Sequence, residues 1–248
     1  MTGVTLRRQF VEFGLAVVVL VTTAASAGHL WLDNGKARSA PDGPVVVDPA
    51  VLRAATTTNA CVHGGIALTF DDGPDRYTPA ILAVLRAYGV KATFFVIGAK
   101  VAAHPELIRT EATDGHLVEN HSWNHPHLSD LTRDEIRHQI DSTQQAIVSA
   151  GAPPPTMLRP PFGDADPDVD AGAAEADLTI VRWGLDTNDW RGRASADIAN
   201  AVLGGLSAGQ VVLLHDGVQE SRNTLAALPD IIRGLRQRGY CTTTMTVS

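Results

Sequence analysis

Apolar positions along this chain switch repeatedly between two periods. A short, continuous apolar run from Ile66 to Phe70 reads as a strand buried on both faces. From Thr78 to Tyr88 the apolar residues Ile81, Leu82, Val84 and Leu85 recur with helical spacing, and Gly89 ends the helix. The alternation then repeats. Ala92–Ile97 is a strand, Pro105–Thr113 a helix, His116–Glu119 a strand, and Thr132–Ala150 a helix with Asp134 and Glu135 in its first turn. Leu178–Leu185 and Val211–Leu214 are strands separated by the helix Ser195–Leu206, and a last helix, Thr224–Arg238, leads through Gly239 into the strand Tyr240–Val247. Strands and helices in alternation predict an α/β fold with a parallel sheet, closed as a β/α barrel or open and doubly wound.

The first 60 residues do not share this rhythm. Arg7 and Arg8 precede the apolar stretch Gly14–Val21, and Ala25-Ser26-Ala27 supplies small residues at a cleavage position, so residues 1–27 read as an export signal cut after Ala27. An uncleaved membrane anchor is the alternative, although the apolar run is short for a span. Residues 28–60 lack sustained periodicity and read as a flexible spacer. The catalytic candidate is then a single domain over residues 61–248, about 190 residues and enough for one large core. A net charge of -7 argues against nucleic acid as a partner and excludes no polysaccharide. In an exported protein the two cysteines, Cys61 and Cys241, are expected to pair, contributing about 4 kcal/mol; two buried thiols are the other reading.

The chemistry concentrates at strand ends. Asp71 and Asp72 stand side by side in Thr69-Phe70-Asp71-Asp72-Gly73-Pro74, directly after the first strand. Adjacent carboxylates shift each other's protonation unless a cation or buried partner separates their tasks, although the same string also suits a solvated turn. Fifty residues on, His121-Ser122-Trp123-Asn124-His125 places two imidazoles four apart, the spacing of one face of a helical turn. Asp72, His121 and His125 together make a His₂-carboxylate set with an open position, suited to a catalytic rather than a structural metal.

Three further segments follow: Arg159-Pro160-Pro161-Phe162-Gly163, Asp186-Thr187-Asn188-Asp189-Trp190 and Leu213-Leu214-His215-Asp216. In order and spacing the five segments resemble the polysaccharide deacetylase family, also called carbohydrate esterase family 4, over residues 61–248. The resemblance implies a distorted, incomplete barrel of seven or eight strands. It implies Asp71 as general base, held by Arg159, with Asp72, His121 and His125 as ligands of a divalent metal. Zinc suits that set; cobalt, nickel or manganese could also occupy it. His215 is implied as general acid, oriented by Asp189 or, less favoured, Asp186. The Phe162 backbone amide is implied at the oxyanion, and Trp190 and Leu213 as the wall against an acetyl methyl group.

Two positions depart from the family pattern. Phe162 stands where many relatives have Tyr, so a phenolic hydroxyl is missing while the backbone donor remains. Asp166 stands where Asn is common, a change expected to alter sugar contacts. Other residues are read as structural: His127, beyond Pro126, leaves the ligand spacing; His104, His116 and His138 lack partners in the pattern; His63 is read as exposed, and Trp183 as a core residue of a strand.

The resulting expectation is an exported hydrolase that removes acetyl groups from an N-acetylglucosamine-containing polysaccharide, with no nucleic acid or stable protein partner. An O-acetylxylan esterase is the same-class alternative. A non-catalytic carbohydrate-binding relative is the alternative of a different class, and it has no need of an acid and base pair.

Overall fold

The computed structural model describes residues 61–245. The expected signal, its cleavage position and the spacer all lie outside the described residues. Among these residues no helix is long and apolar enough to cross a membrane.

All strands pair in parallel. The first, β1 (Gly65–Asp71), lies between β2 (Thr93–Val96) and β7 (Val211–His215). Beyond β2 follow β3 (Leu117–Asn120), β4 (Met157–Leu158) and β5 (Thr179–Ile180); beyond β7 lies β6 (Leu185–Asp186). The last strand, β8 (Cys241–Thr243), pairs with the first half of β1, on the edge whose second half pairs with β2. The order β5-β4-β3-β2-β1-β7-β6 makes the two edge strands neighbours in sequence. Seven strands laid flat would separate those edges by about 29 Å, whereas the five peptide steps from Ile180 to Leu185 reach at most about 17 Å. The sheet therefore curls into an incomplete barrel, and residues 181–184 bridge its open seam.

That bridge corrects one expectation. Leu178–Leu185 is not one strand but two, β5 and β6, with Arg182 and Trp183 in the seam between them. Apolar residues recur on both sides of Arg182, so the segment reads as one strand, but the ladder partner changes from β4 to β7 within it. Trp183 is accordingly half-buried beside the seam and not a strand residue of the core.

Helices α1 (Thr78–Ala87), α3 (Pro105–Thr113), α6 (Ser195–Gly204) and α7 (Ser221–Gln237) cover the sheet's outer face. Ile81, Leu82 and Leu85 of α1 and Leu228, Ile231 and Leu235 of α7 pack there with Leu68, Phe70, Val212 and Leu214. Each such side chain contributes about 1.5–3 kcal/mol on full burial, so together they fix which face of each strand looks outward. A second cluster joins α4 (Arg133–Ser149) to α5 (Pro167–Glu175) through Ile136, Ile140, Val169 and Ala173, with Leu128 and Leu158. Thr132 and Glu135 form a capping box at the start of α4. The short α2 (Gly98–Ala103) and α5 lie outside the elements the periodicity marks. Asp166 caps α5, accepting from the Asp168 and Val169 amides at 3.0 and 2.9 Å. Its carboxylate thus has a structural use at the position where altered sugar contacts were expected.

Strand alternation then dictates the inner face. With Leu68, Phe70, Val212 and Leu214 outward, Thr69, Asp71, Leu213 and His215 point into the curl. Cys61 and Cys241 are disulfide-bonded, with Cα atoms 5.1 Å apart, and so tie the start of the domain to β8. Because the bridge closes 180 residues of chain, reduction is expected to remove about 5 kcal/mol of stability on the loop-entropy relation. Denaturant melts with and without reductant check this; coincident curves would show that the bridge constrains nothing.

Candidate active site and metal centre

β1 ends in two carboxylates that the backbone separates. Asp71 continues the strand's inward face, while Asp72 adopts the left-handed conformation, φ 73, and turns its side chain to another direction. The turn is packed closely: a Cβ on Gly217 would lie 1.8 Å from the Asp72 carbonyl oxygen, so the loop after β7 touches this turn only through glycine.

The histidine pair arrives from β3, and here the expected helical turn is absent. Residues 121–127 form a loop in which Ser122 and His125 both have left-handed backbones, φ 65 and φ 59. Side chains from neighbouring elements hold it. Asn120 Oδ1 accepts from the Ser122 amide at 2.9 Å, Gln139 Oε1 of α4 accepts from the Trp123 and Asn124 amides at 2.8 and 3.1 Å, and Ser122 Oγ accepts from the His125 amide at 3.1 Å. These contacts bring the two rings together by tertiary structure rather than by helical periodicity.

Asp72 Oδ1 lies 3.4 Å from His121 Nε2 and 3.2 Å from His125 Nε2, and it is buried with no hydrogen-bond partner. Ligand atoms held 2.0–2.1 Å from a tetrahedral ion are about 3.3 Å apart, so the three donors fit a divalent metal. Among the described residues this is the His/Cys/Asp/Glu group able to hold one. His121 Nδ1 donates to the Arg159 carbonyl at 2.6 Å, which leaves Nε2 with its lone pair directed at the site. Burial works to raise Asp72, but its contact with His121, and the charges of His121 and His125, hold its carboxyl well below the usual range. Burial also opposes protonation of His121, and Asp71 and Asp72 outweigh it and raise that imidazole; His125 is lowered, first by burial and then by the charge of His121.

Two polar pairs flank the centre. Arg159, fully buried just after β4, donates from Nη1 to Asp71 Oδ1 at 2.7 Å and to Thr69 Oγ1 at 2.8 Å, with its guanidinium 4.0 Å above the Phe95 ring. Thr69 passes the restraint on by donating to the Val212 carbonyl at 2.7 Å. On β7, His215 Nδ1 lies 2.7 Å from Asp189 Oδ1. Asp189 Oδ2 accepts from the His215 amide at 2.8 Å and from Thr224 Oγ1 of α7 at 2.6 Å. Asp186 instead accepts from the Asn188 amide at 2.7 Å, within its own turn. Burial lowers His215, but the hydrogen bond and charge of Asp189 outweigh it and push the imidazole up to about 9.

Asp71 and His215 are register partners on the β1–β7 ladder. Leu213 lies two residues earlier on the same face, 3% exposed, while Phe162 and Trp190 are large apolar side chains left 57% and 43% exposed. Every residue the sequence singles out for metal, base or acid chemistry thus converges at one end of the sheet. Sequence reasoning missed Thr69, Thr224, Asn120 and Gln139, which hold those residues in place. Their types carry no motif signal, and only the fold makes them neighbours.

With His215 near 9, a reaction that needs it protonated should hold its kcat on the alkaline side up to about pH 9. Asp189→Asn removes the charge that raises it and should bring that limb down by at least about one pH unit. A pH–rate profile of the two proteins reads this directly; superimposed limbs would detach Asp189 from the titration.

The profile of the polysaccharide deacetylase family matches residues 62–181. A chitooligosaccharide deacetylase of Bradyrhizobium is 40% identical over 70% of this chain and 85% of its own length. The peptidoglycan-N-acetylglucosamine deacetylase PgdA of Listeria monocytogenes is 38% identical over 77% of this chain, which spans only 40% of that protein. Among solved structures, a family 4 carbohydrate esterase from Streptomyces lividans, in complex with acetate, superposes with a TM-score of 0.71 at 39% identity. That superposition covers 74% of this chain and 93% of the esterase.

Proposed function

We propose that this chain, which belongs to the polysaccharide deacetylase family, carbohydrate esterase family 4, is an exported, metal-dependent deacetylase. It hydrolyses the acetamido groups of an N-acetylglucosamine-containing polysaccharide such as peptidoglycan or chitin. The observation that carries this reading is the placement of a buried Arg-held carboxylate and an Asp-held imidazole on paired positions of adjacent strands, beside a three-donor metal set.

Asp72, His121 and His125 would hold a divalent metal, zinc first by donor type, which when bound would supply water activated at neutral pH and polarise the acyl oxygen. Asp71 accepts the proton of the attacking water, and Arg159, donating to its other oxygen at 2.7 Å, holds the carboxylate in place for this step. As the C–N bond breaks, its electron pair goes to nitrogen, which takes a proton from His215; acetate and a free amine leave. With Asp189 on Nδ1, the other ring nitrogen of His215 is the one free to donate. The Phe162 amide faces the acyl oxygen, and Leu213 and Trp190 enclose the methyl group. Exposed rings at Phe162 and Trp190 support a sugar substrate, because pyranose faces pack on aromatic surface. The basic, apolar and small-residue pattern of residues 7–27 supports export, and mass spectrometry should find Gly28 first in the exported protein.

The deciding experiment measures acetate released from chito-oligosaccharides, peptidoglycan and acetylxylan by purified, zinc-loaded protein, with and without chelator. Release from the N-acetylated polymers that the chelator abolishes is the expected result. Release from acetylxylan alone would reassign the chain as an esterase, and no release from any polymer would overturn the reading.

A further inference from the structure

We propose that His127 is a positioning residue for the turn that carries Phe162; the proposal rests on the reading in which the Phe162 amide faces the acyl oxygen. Phe162 has a left-handed backbone, φ 60 and ψ 4, a conformation that a bulky non-glycine residue keeps only when its surroundings enforce it. Burial does not enforce it here, since the ring is 57% exposed, and a tyrosine hydroxyl is not available to anchor it.

The contacts around the turn supply the restraint. The His127 ring lies flat on Phe162, with centroids 3.9 Å apart and an interplanar angle of 16°, while the ligand candidate His125 meets the same ring edge-on at 4.6 Å. Ser129 Oγ donates to Asp164 Oδ2, and His127 Nδ1 lies 3.4 Å from that oxygen, so the two loops are joined at a second point. On the other flank, Arg182 Nε donates to the Gly163 carbonyl at 3.2 Å, and a Cβ at Gly163 would meet the Trp183 ring at 3.0 Å. His127 is itself anchored, because Leu128, its neighbour, is fully buried in the α4–α5 cluster. Rigidity from that cluster therefore reaches the ring of an exposed turn through the stacked imidazole, and its backbone through the Ser129–Asp164 contact. The same stack places Phe162 between His127 and a residue of the metal centre, so the turn and that centre share a wall.

The test compares zinc-loaded wild type, His127→Ala and His127→Phe by two independent readouts. The first is hydrogen exchange at the Gly163 and Asp164 amides, which close the turn by donating to the Pro160 and Pro161 carbonyls at 3.0 and 3.1 Å. The second is kcat and KM on a chito-oligosaccharide, with bound zinc measured alongside. His127→Ala should accelerate that exchange and lower kcat by about 10-fold each, the scale of one lost aromatic contact, with KM and zinc content unchanged. His127→Phe, which keeps the stacking surface without the nitrogen, should restore both. Unchanged exchange or unchanged kcat in the alanine variant overturns the proposal, as does failure of the phenylalanine variant to restore them. A wild type that releases no acetate overturns the deacetylase reading instead, and the exchange readout still tests the clamp. His127 is itself largely exposed, so its truncation leaves the core in place.

Discussion

Asp71→Asn is expected to keep a full complement of metal and to lose about 10²- to 10⁴-fold in kcat, whereas Asp72→Ala, His121→Ala and His125→Ala each lose metal and activity together. The two acids are adjacent in sequence, yet their geometry differs. Asp72 Oδ1 stands between both imidazole nitrogens at 3.4 and 3.2 Å, while Asp71 Oδ2 is 3.7 Å from His121 and its other oxygen is committed to Arg159. Asparagine at 71 keeps the size and one acceptor oxygen for Arg159, so only the capacity to take a proton disappears. It also leaves a buried guanidinium beside a neutral group. The stability loss should nevertheless stay below the roughly 3–5 kcal/mol that follows outright removal of a buried partner, because the hydrogen bond survives. Metal analysis of the four variants, alongside turnover, separates the functions. Metal loss in Asp71→Asn would make Asp71 a ligand, retained turnover would remove it as the base, and full occupancy in His125→Ala would remove that histidine from the centre.

The sequence carries most of the scaffold because each strand and long helix buries a face, and burial forces the apolar period on which such a reading depends. It is least informative where one segment changes partners. Between Ile180 and Leu185 apolar residues recur on both sides of Arg182 while the ladder passes from β4 to β7, so periodicity sees one strand where the fold has two edges and a seam. The site was legible in its reactive residues, since paired acids and imidazoles at strand ends are chemically conspicuous. Its geometry was less so. His121 and His125 have helical spacing, but Asn120 and Gln139 capture the loop's amides and Ser122 turns left-handed, three tertiary facts that spacing cannot encode. Asp166 followed by Pro167 is a helix start that the local sequence does encode, and α5 begins there. Thr69 and Thr224 offer no such sign, because a threonine that orients Arg159 or Asp189 has the same local sequence character as one that merely fills a strand or helix.

His215→Ala is expected to leave zinc and substrate binding largely intact and to lower kcat on amide substrates by roughly 10²- to 10⁴-fold, the usual scale of general acid catalysis. An amine cannot depart as its anion, so loss of the proton donor falls directly on C–N cleavage. An activated aryl acetate should lose far less, since its phenolate leaves without a proton. The structure makes this comparison informative in two ways. His215 is no part of the three-donor set around Asp72, so its removal should not disturb metal content. It is held through Nδ1 and its own amide by Asp189, whose remaining contacts with that amide, the Trp190 amide and Thr224 keep the carboxylate in place after the imidazole is gone. A buried Asp189 with one partner fewer should cost some stability, so thermal melts must accompany the kinetics. Asp71→Asn provides the contrast: the base acts on the attacking water, which both substrates require, so that variant should suffer on amide and aryl ester alike. Two single mutants and two substrates thereby distinguish acid from base. Equal losses on amide and ester for His215→Ala would mean that the imidazole shapes the site instead of delivering a proton, and the alkaline limb near pH 9 would then need another group.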